Sequence, residues 1–254
     1  MAFPEALEKI GLYAFYRTGI ENIRLPASLR TVAQGAFAEC WYLRTVEFGE
    51  GLEVLGTNER SYYGKEWCGI FQGSTIESVS LPSSLRRIEY SAFEWCDHLK
   101  SISLPENVEY IGNDAFSTCK ALRHIALAEG SKLEEIGSDC FSESGLEEIT
   151  LPRTLKTIGN RAFDECKHLK RIRVEEGCEA SLRYSGVPES VIVGPLLETM
   201  AGNVKVWDLR RLKTLVVPDG VEKIGNCWFR GSEIESVEIP ASVRKIGMGA
   251  FYEC

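Results

Sequence analysis

A unit of about 23 residues recurs along nearly the whole chain, and this repetition constrains the fold more than any other property. Leu81-Pro82-Ser83-Ser84-Leu85-Arg86-Arg87-Ile88 runs on through Ala92-Phe93, Cys96, Leu99 and Ile102, then begins again at Leu104-Pro105. The position of Leu81 recurs as Phe3, Leu25, Phe48, Leu104, Leu127, Leu151, Val174, Val193, Val217 and Ile239. Self-similarity at this period is the signature of a solenoid, in which each unit buries its apolar face only against its neighbours. Such an array escapes the size limit of a single core, so residues 1–254 read as one domain of about ten units. It presents one long surface, and the first expectation is recognition rather than chemistry. Two stretches depart from the pattern. The long step from Phe48 to Leu81 holds an insertion at about 57–67, and residues 175–212 are irregular, where a longer loop or short helix is expected.

Within a unit, Leu-x-x-Ile-x-Leu predicts a strand, as in Leu99-Lys100-Ser101-Ile102-Ser103-Leu104. Apolar and polar residues alternate there at period two, so one face is buried and the other wet. Pro follows at Pro26, Pro82, Pro105, Pro152, Pro218 and Pro240. It has no N–H to give to a ladder and marks where pairing stops. A second apolar pair comes next (Leu85/Ile88, Val108/Ile111, Leu155/Ile158), often followed by Gly, as at Gly112, Gly137 and Gly159, which suggests a tight change of direction. The recurring phenylalanine (Phe15, Phe37, Phe93, Phe116, Phe163, Phe229 and Phe251, with Phe71 and Phe141 displaced by insertions) predicts a buried ring stack along the axis.

The composite Leu-x-x-Ile-x-Leu-Pro-x-Ser-Leu-x-x-Ile-Gly-x-x-Ala-Phe-x-x-Cys resembles the leucine-rich repeat of the BspA type, over residues 3–254. The resemblance implies a leucine-rich repeat solenoid: β-rich, right-handed and curved, with a parallel concave sheet and short turns or short helices on the convex side. It also implies a cell-surface or secreted protein of a microbe that attaches to other proteins, host matrix components among them. An intracellular scaffold or effector segment is the alternative. Met1-Ala2-Phe3-Pro4 enters directly into a repeat without a signal peptide, and neither end has the polar outer face of a capping unit, so a segment of a longer protein is expected.

Nine cysteines invite a disulfide or metal reading. Five of them, Cys40, Cys96, Cys119, Cys166 and Cys254, stand three residues past the phenylalanine, where other units carry Thr18, Ser74, Ser144 and Ser232. Exchange among Cys, Ser and Thr indicates a small buried group with a weak hydrogen-bonding end. Neither a disulfide nor a metal tolerates that exchange, and Cys68, Cys140, Cys178 and Cys227 lack Cys-x-x-Cys spacing. No metal or cofactor is expected.

Catalytic signatures are missing as well. His98 and His168 stand at equivalent repeat positions, and no nucleophile elbow, His-Glu-x-x-His or phosphate loop occurs. The net charge of −8 argues against a nucleic-acid partner. No apolar run approaches the roughly 18–20 residues of a membrane span. The reading is therefore a non-catalytic module that binds another protein, monomeric rather than oligomeric.

Stacking the strands in register places residue columns on the wet face. One column reads Glu21, Arg44, Glu77, Lys100, Arg123, Glu147, Lys170, alternating in sign as cross-strand pairing selects, except where Lys100 adjoins Arg123. The neighbouring column is small except at His124, Glu148 and Arg171. Arg123, His124, Glu148, Arg171 and Arg173 are therefore the candidate contacts on the concave sheet. The insertion supplies a second set, Tyr62, Tyr63 and Trp67, because insertions in repeat arrays form loops on one face and exposed Tyr and Trp serve recognition.

Overall fold

The computed structural model describes residues 3–56, 68–175, 178, 180, 185–187, 192–193, 214–217, 222–226 and 229–254. Tyr62, Tyr63, Trp67 and the rest of the insertion lie outside the described residues, as do Cys227 and most of 175–212.

Each regular unit contributes two strands. The apolar pair after the proline forms the short ones: β1 (Lys9–Ile10), β3 (Thr31–Val32), β5 (Val54–Leu55), β7 (Arg87–Ile88), β9 (Tyr110–Ile111), β11 (Glu135–Ile136), β13 (Thr157–Ile158), β17 (Lys223–Ile224) and β19 (Lys245–Ile246). Leu-x-x-Ile-x-Leu forms the longer ones: β2 (Asn22–Leu25), β4 (Thr45–Phe48), β6 (Ser78–Ser80), β8 (Ser101–Leu104), β10 (His124–Leu127), β12 (Glu148–Leu151) and β14 (Arg171–Val174). β15 (Ile192–Val193) adds to β14, and β16 (Thr214–Val216) and β18 (Ser236–Glu238) are further strands of the same kind. Every pairing is parallel, and like joins like: β2-β4-β6, β8-β10-β12-β14-β15 and β16-β18 on one side, β1-β3, β5-β7-β9-β11-β13 and β17-β19 on the other. The molecule is a parallel β-solenoid, and turns join its strands.

The strand period explains the burial. Asn22–Leu25 and Ser101–Leu104 each alternate exposed and buried, and the register sets Ile102 beside Ile125 and Ile149 beside Ile172. Proline ends the long strand and then serves the turn. The carbonyls of Pro26, Pro82, Pro105 and Pro152 accept from the amides of Leu29, Leu85, Val108 and Leu155 at 3.0–3.2 Å. Where the proline is replaced, as at Gly49, Ala128 and Glu175, the freed N–H bonds to a carbonyl of the rung before.

The phenylalanines form one file. Phe15, Phe37, Phe71, Phe93, Phe116, Phe141 and Phe163 stack ring on ring with centroids 5.1–5.7 Å apart and planes within 17°. Phe229 and Phe251 repeat the geometry at 5.2 Å. A matching backbone ladder runs alongside, the amide of each phenylalanine donating to the rung after it, as from Phe93 to Ala115 and from Phe116 to Cys140, both at 2.8 Å. Burying a ring and stacking it on both sides contributes several kcal/mol per rung.

The glycine after the second apolar pair does open a tight turn, the Ala115 amide donating to the Gly112 carbonyl at 3.3 Å, but the turn is not what requires glycine. Gly112, Gly137 and Gly159 are needed because a Cβ would strike the backbone of the rung before: 2.7 Å from Glu89 C, 2.5 Å from Asn113 N and 2.2 Å from Ser138 N. The left-handed backbone falls elsewhere, two residues either side of the phenylalanine, and mostly on non-glycine residues. Around Phe93 it takes Ser91 (φ 52°) and Trp95 (φ 59°), and around Phe116 it takes Asp114 (φ 55°) and Thr118 (φ 58°). Such residues are held there by the stack rather than by preference.

Candidate recognition surface

The side chains that define the unit are spent on stacking. The thiols of Cys40, Cys96, Cys119 and Cys166 donate to the carbonyls of Phe15, Phe71, Phe93 and Phe141 in the rung before, at 2.9–3.2 Å. Ser74 does the same with its hydroxyl, to Phe37 at 2.7 Å. This common bond accounts for the exchange of Cys with Ser. Thr18 sits in the first regular unit and bonds its own Phe15 carbonyl instead. Burial pushes the thiols of Cys96, Cys119 and Cys140 well up, and that of Cys166 up to about 11. They are therefore protonated at neutral pH and poor nucleophiles or ligands. Ser28, Ser84 and Thr154, from the Pro-x-Ser element, likewise bond the carbonyls of Leu7, Leu52 and Leu133 at 2.8–2.9 Å.

What remains for a partner is the wet face of the long strands. Ser101, His124, Glu148, Arg171 and Ile192 occupy one row across β8, β10, β12, β14 and β15, and Thr150 pairs with Arg173 in the next residue row but one. The row thus brings His124, Glu148 and Arg171 onto adjacent strands. Glu148 lies 3.9 Å from the Arg171 guanidinium and 3.7 Å from that of Arg173, in a fork. His124, Arg171 and Arg173 are exposed. Between β10 and β12 the ladder pairs at His124↔Glu148 alone, whereas β8–β10 and β12–β14 pair along four residues. The candidate row crosses the sheet where its register is narrowest.

Arg123 behaves differently from the other four. Its Nη1 donates to the carbonyls of Lys120 at 2.6 Å and Gly145 at 3.0 Å, and its Nε lies 3.4 Å from Glu147. A Cβ at residue 145 would fall 1.6 Å from that nitrogen, so Gly145 makes room for the fold-back. Alternation of sign produces the ion pairs Arg44–Glu77 at 2.7 Å and Arg123–Glu147, while among the described residues Lys100 has no carboxylate within 4.0 Å. The surrounding surface carries Lys100, Lys170, Arg171 and Arg173 against Glu147 and Glu148, a local cationic excess on a chain of net charge −8.

A second surface carries no signal in the repeat pattern. Trp41, Tyr42 and Trp95 are 58%, 63% and 52% exposed. Sequence reasoning passes over them because each stands where other units vary freely.

The profile of the BspA type leucine-rich repeat region matches residues 1–62, 68–184 and 205–254, in six copies. No curated protein matches the chain in sequence. Among solved structures, the chain is similar to a leucine-rich cell surface protein of Faecalibacterium prausnitzii, with 22% identity and a TM-score of 0.59 over 98% of this chain and 65% of that one. It is also similar to the pneumococcal vaccine antigen PcpA, with 21% identity and a TM-score of 0.50 over 98% of this chain and 68% of that one. The chain therefore spans about two thirds of the length of these neighbours, and the likeness is one of fold.

Proposed function

The chain belongs to the BspA-type leucine-rich repeat family, and we propose that it is a non-catalytic protein-interaction module whose concave sheet engages its partner across β10, β12 and β14. The observation that carries this reading is the His124–Glu148–Arg171 row with Arg173 beside it: polar, with His124 and both arginines exposed, and set among strands that elsewhere present small side chains such as Ser78, Ser101 and Ser103. His124, Arg171 and Arg173 make the open contacts, with Glu148 holding the two guanidinium groups. Arg123 serves by fixing the neighbouring loop. The cationic excess suits an acidic segment of the partner, because charge complementarity steers encounter and sets specificity.

The surface-protein neighbour and the family favour a microbial cell-surface or secreted protein of the adhesin kind, with a host matrix or surface protein as partner. One observation favours the intracellular scaffold instead: the buried cysteines are free thiols. A signal peptide or wall anchor in the full-length gene decides for the surface reading. The binding test is a pull-down from matrix proteins and cell lysate with the native chain and with Arg171→Ser/Arg173→Ser. The double variant loses the partner while keeping its melting temperature; unchanged capture removes this row as the contact surface.

A further inference from the structure

The exposed tryptophans form a surface of their own, away from the concave row. Glu39, Gly73 and Trp95 are successive rungs of one column, the left-handed position two residues past the phenylalanine. The rungs are tied in order: the Glu39 amide donates to the Gln72 carbonyl and the Gly73 amide to the Glu94 carbonyl, both at 2.8 Å. Gly73 has no side chain, and among the described residues a Cβ placed there would meet only Glu39 Cγ, at 3.5 Å. The result is a notch two rungs wide, roughly 10 Å across at the rung spacing, with Glu39 on one wall and Trp95 on the other. Trp41 flanks it on the side of the next turn, where its carbonyl accepts from Thr75 Oγ1 at 2.8 Å.

Trp95 is the informative residue. A large side chain in the left-handed region costs stability, and an indole left half in water recovers little of it by burial. The stack imposes that backbone at this position in most rungs, but it does not call for an indole there. A strained, exposed aromatic group beside a second exposed one marks a binding surface.

The notch also shows what it holds. Arg17 lies over the Trp41 ring at 5.9 Å and over Tyr16 at 5.0 Å, and its guanidinium is bound by the Glu39 carboxylate. One wall is thus already an aromatic and carboxylate seat filled by an arginine of the chain itself. The opposite wall offers the same kinds of group without an arginine among the described residues: the Trp95 ring, the Glu94 carboxyl, which accepts from Gln72 Nε2 at 2.7 Å, and the exposed Asp97 carboxylate, which pairs with Lys120 at 3.7 Å. We propose that the flank bounded by Trp41, Gly73 and Trp95 is a second docking surface, and that its occupant is an extended, arginine-bearing peptide segment of a partner protein. The arginine stacks on the Trp95 indole and its guanidinium meets the Glu94 and Asp97 carboxylates. Opposite local charges then let the concave row and the flank take different segments, so this site stands or falls independently of the concave one.

The test is a titration of the intact chain with a hexapeptide of alternating Gly and Arg at about 0.15 M salt, followed by calorimetry and tryptophan quenching. Its counterpart with Glu for Arg and a neutral hexasaccharide serve as comparisons. Trp95→Gly installs the residue the chain itself uses at Gly73 and Gly231, so it raises the melting temperature while lowering peptide affinity at least about ten-fold. Trp41→Ala, at an ordinary backbone position, gives the same loss of affinity should the first variant misfold. Equal affinity in the native chain and Trp41→Ala, no binding of the Arg peptide beyond that of the Glu peptide, or quenching by the hexasaccharide in its place overturns the proposal.

Discussion

Replacing Phe116 by alanine probes the stack where it is most complete. The ring is fully buried and stacked on Phe93 at 5.3 Å and on Phe141 at 5.7 Å. Removing a buried phenylalanine costs about 3–5 kcal/mol through lost transfer energy and the cavity left behind. Each stacked pair adds about 0.5–1.5 kcal/mol beyond area, which places Phe116 at the upper end of that range. Phe15 is the matching control. It is partly exposed and has one stacked neighbour, Phe37 at 5.1 Å, with Phe3 meeting it only edge-on. Phe15→Ala should therefore cost about 1–2 kcal/mol less than Phe116→Ala. Urea unfolding followed by far-ultraviolet circular dichroism measures both. Because stability in a stacked array passes from rung to rung, Phe116→Ala should also broaden the transition, whereas Phe15→Ala should leave its slope nearly unchanged. A Phe116→Ala cost below about 1.5 kcal/mol, or one no larger than that of Phe15→Ala, refutes the reasoning.

Cys119→Ser keeps a donor for the Phe93 carbonyl, as Ser74 does for Phe37, and costs under about 1 kcal/mol in chemical unfolding. Cys119→Val keeps the volume and loses the donor, and costs more than the serine variant; the reverse order would count against the bond. Burial, with Asp139 adding to it, raises the carboxyl of Asp114. A carboxyl whose folded pKa exceeds its unfolded one stabilises most when protonated, and that contribution is lost as pH rises from the unfolded value through the folded one. Asp114→Asn, which also suits the left-handed backbone there, therefore raises the melting temperature at pH 7 but not at pH 3; equal shifts at the two pH values would reject this. Gly137→Ala drives a methyl into the backbone at Asn113 and lowers the melting temperature steeply, and a neutral effect would show that the rungs can separate there.

The parts of the fold set by period were legible from the chain alone. Leu-x-x-Ile-x-Leu gave the long strands, the phenylalanine spacing gave the ring file, and the exchange of Cys for Ser and Thr pointed to a small buried donor. The parts set by the neighbouring rung were not. Gly137 read as a turn residue because nothing in its own unit shows the Asn113 amide beneath it. Arg123 read as an open contact because its fold-back depends on a missing side chain at Gly145, one rung on. Trp41 and Trp95 stand where other units vary freely, so no repeat position marks them and only the structure shows their exposure. The row of His124, Glu148 and Arg171 was legible because register follows directly from the repeat.

A double-mutant cycle on the ring file tests most directly whether each unit packs on the next. Phe93→Ala and Phe116→Ala, whose rings stand 5.3 Å apart, should show a coupling of about 0.5–1.5 kcal/mol. Phe37→Ala and Phe141→Ala, four stacking steps apart, should add within about 0.5 kcal/mol. No coupling in the adjacent pair would contradict the stacked solenoid and the surfaces built on it.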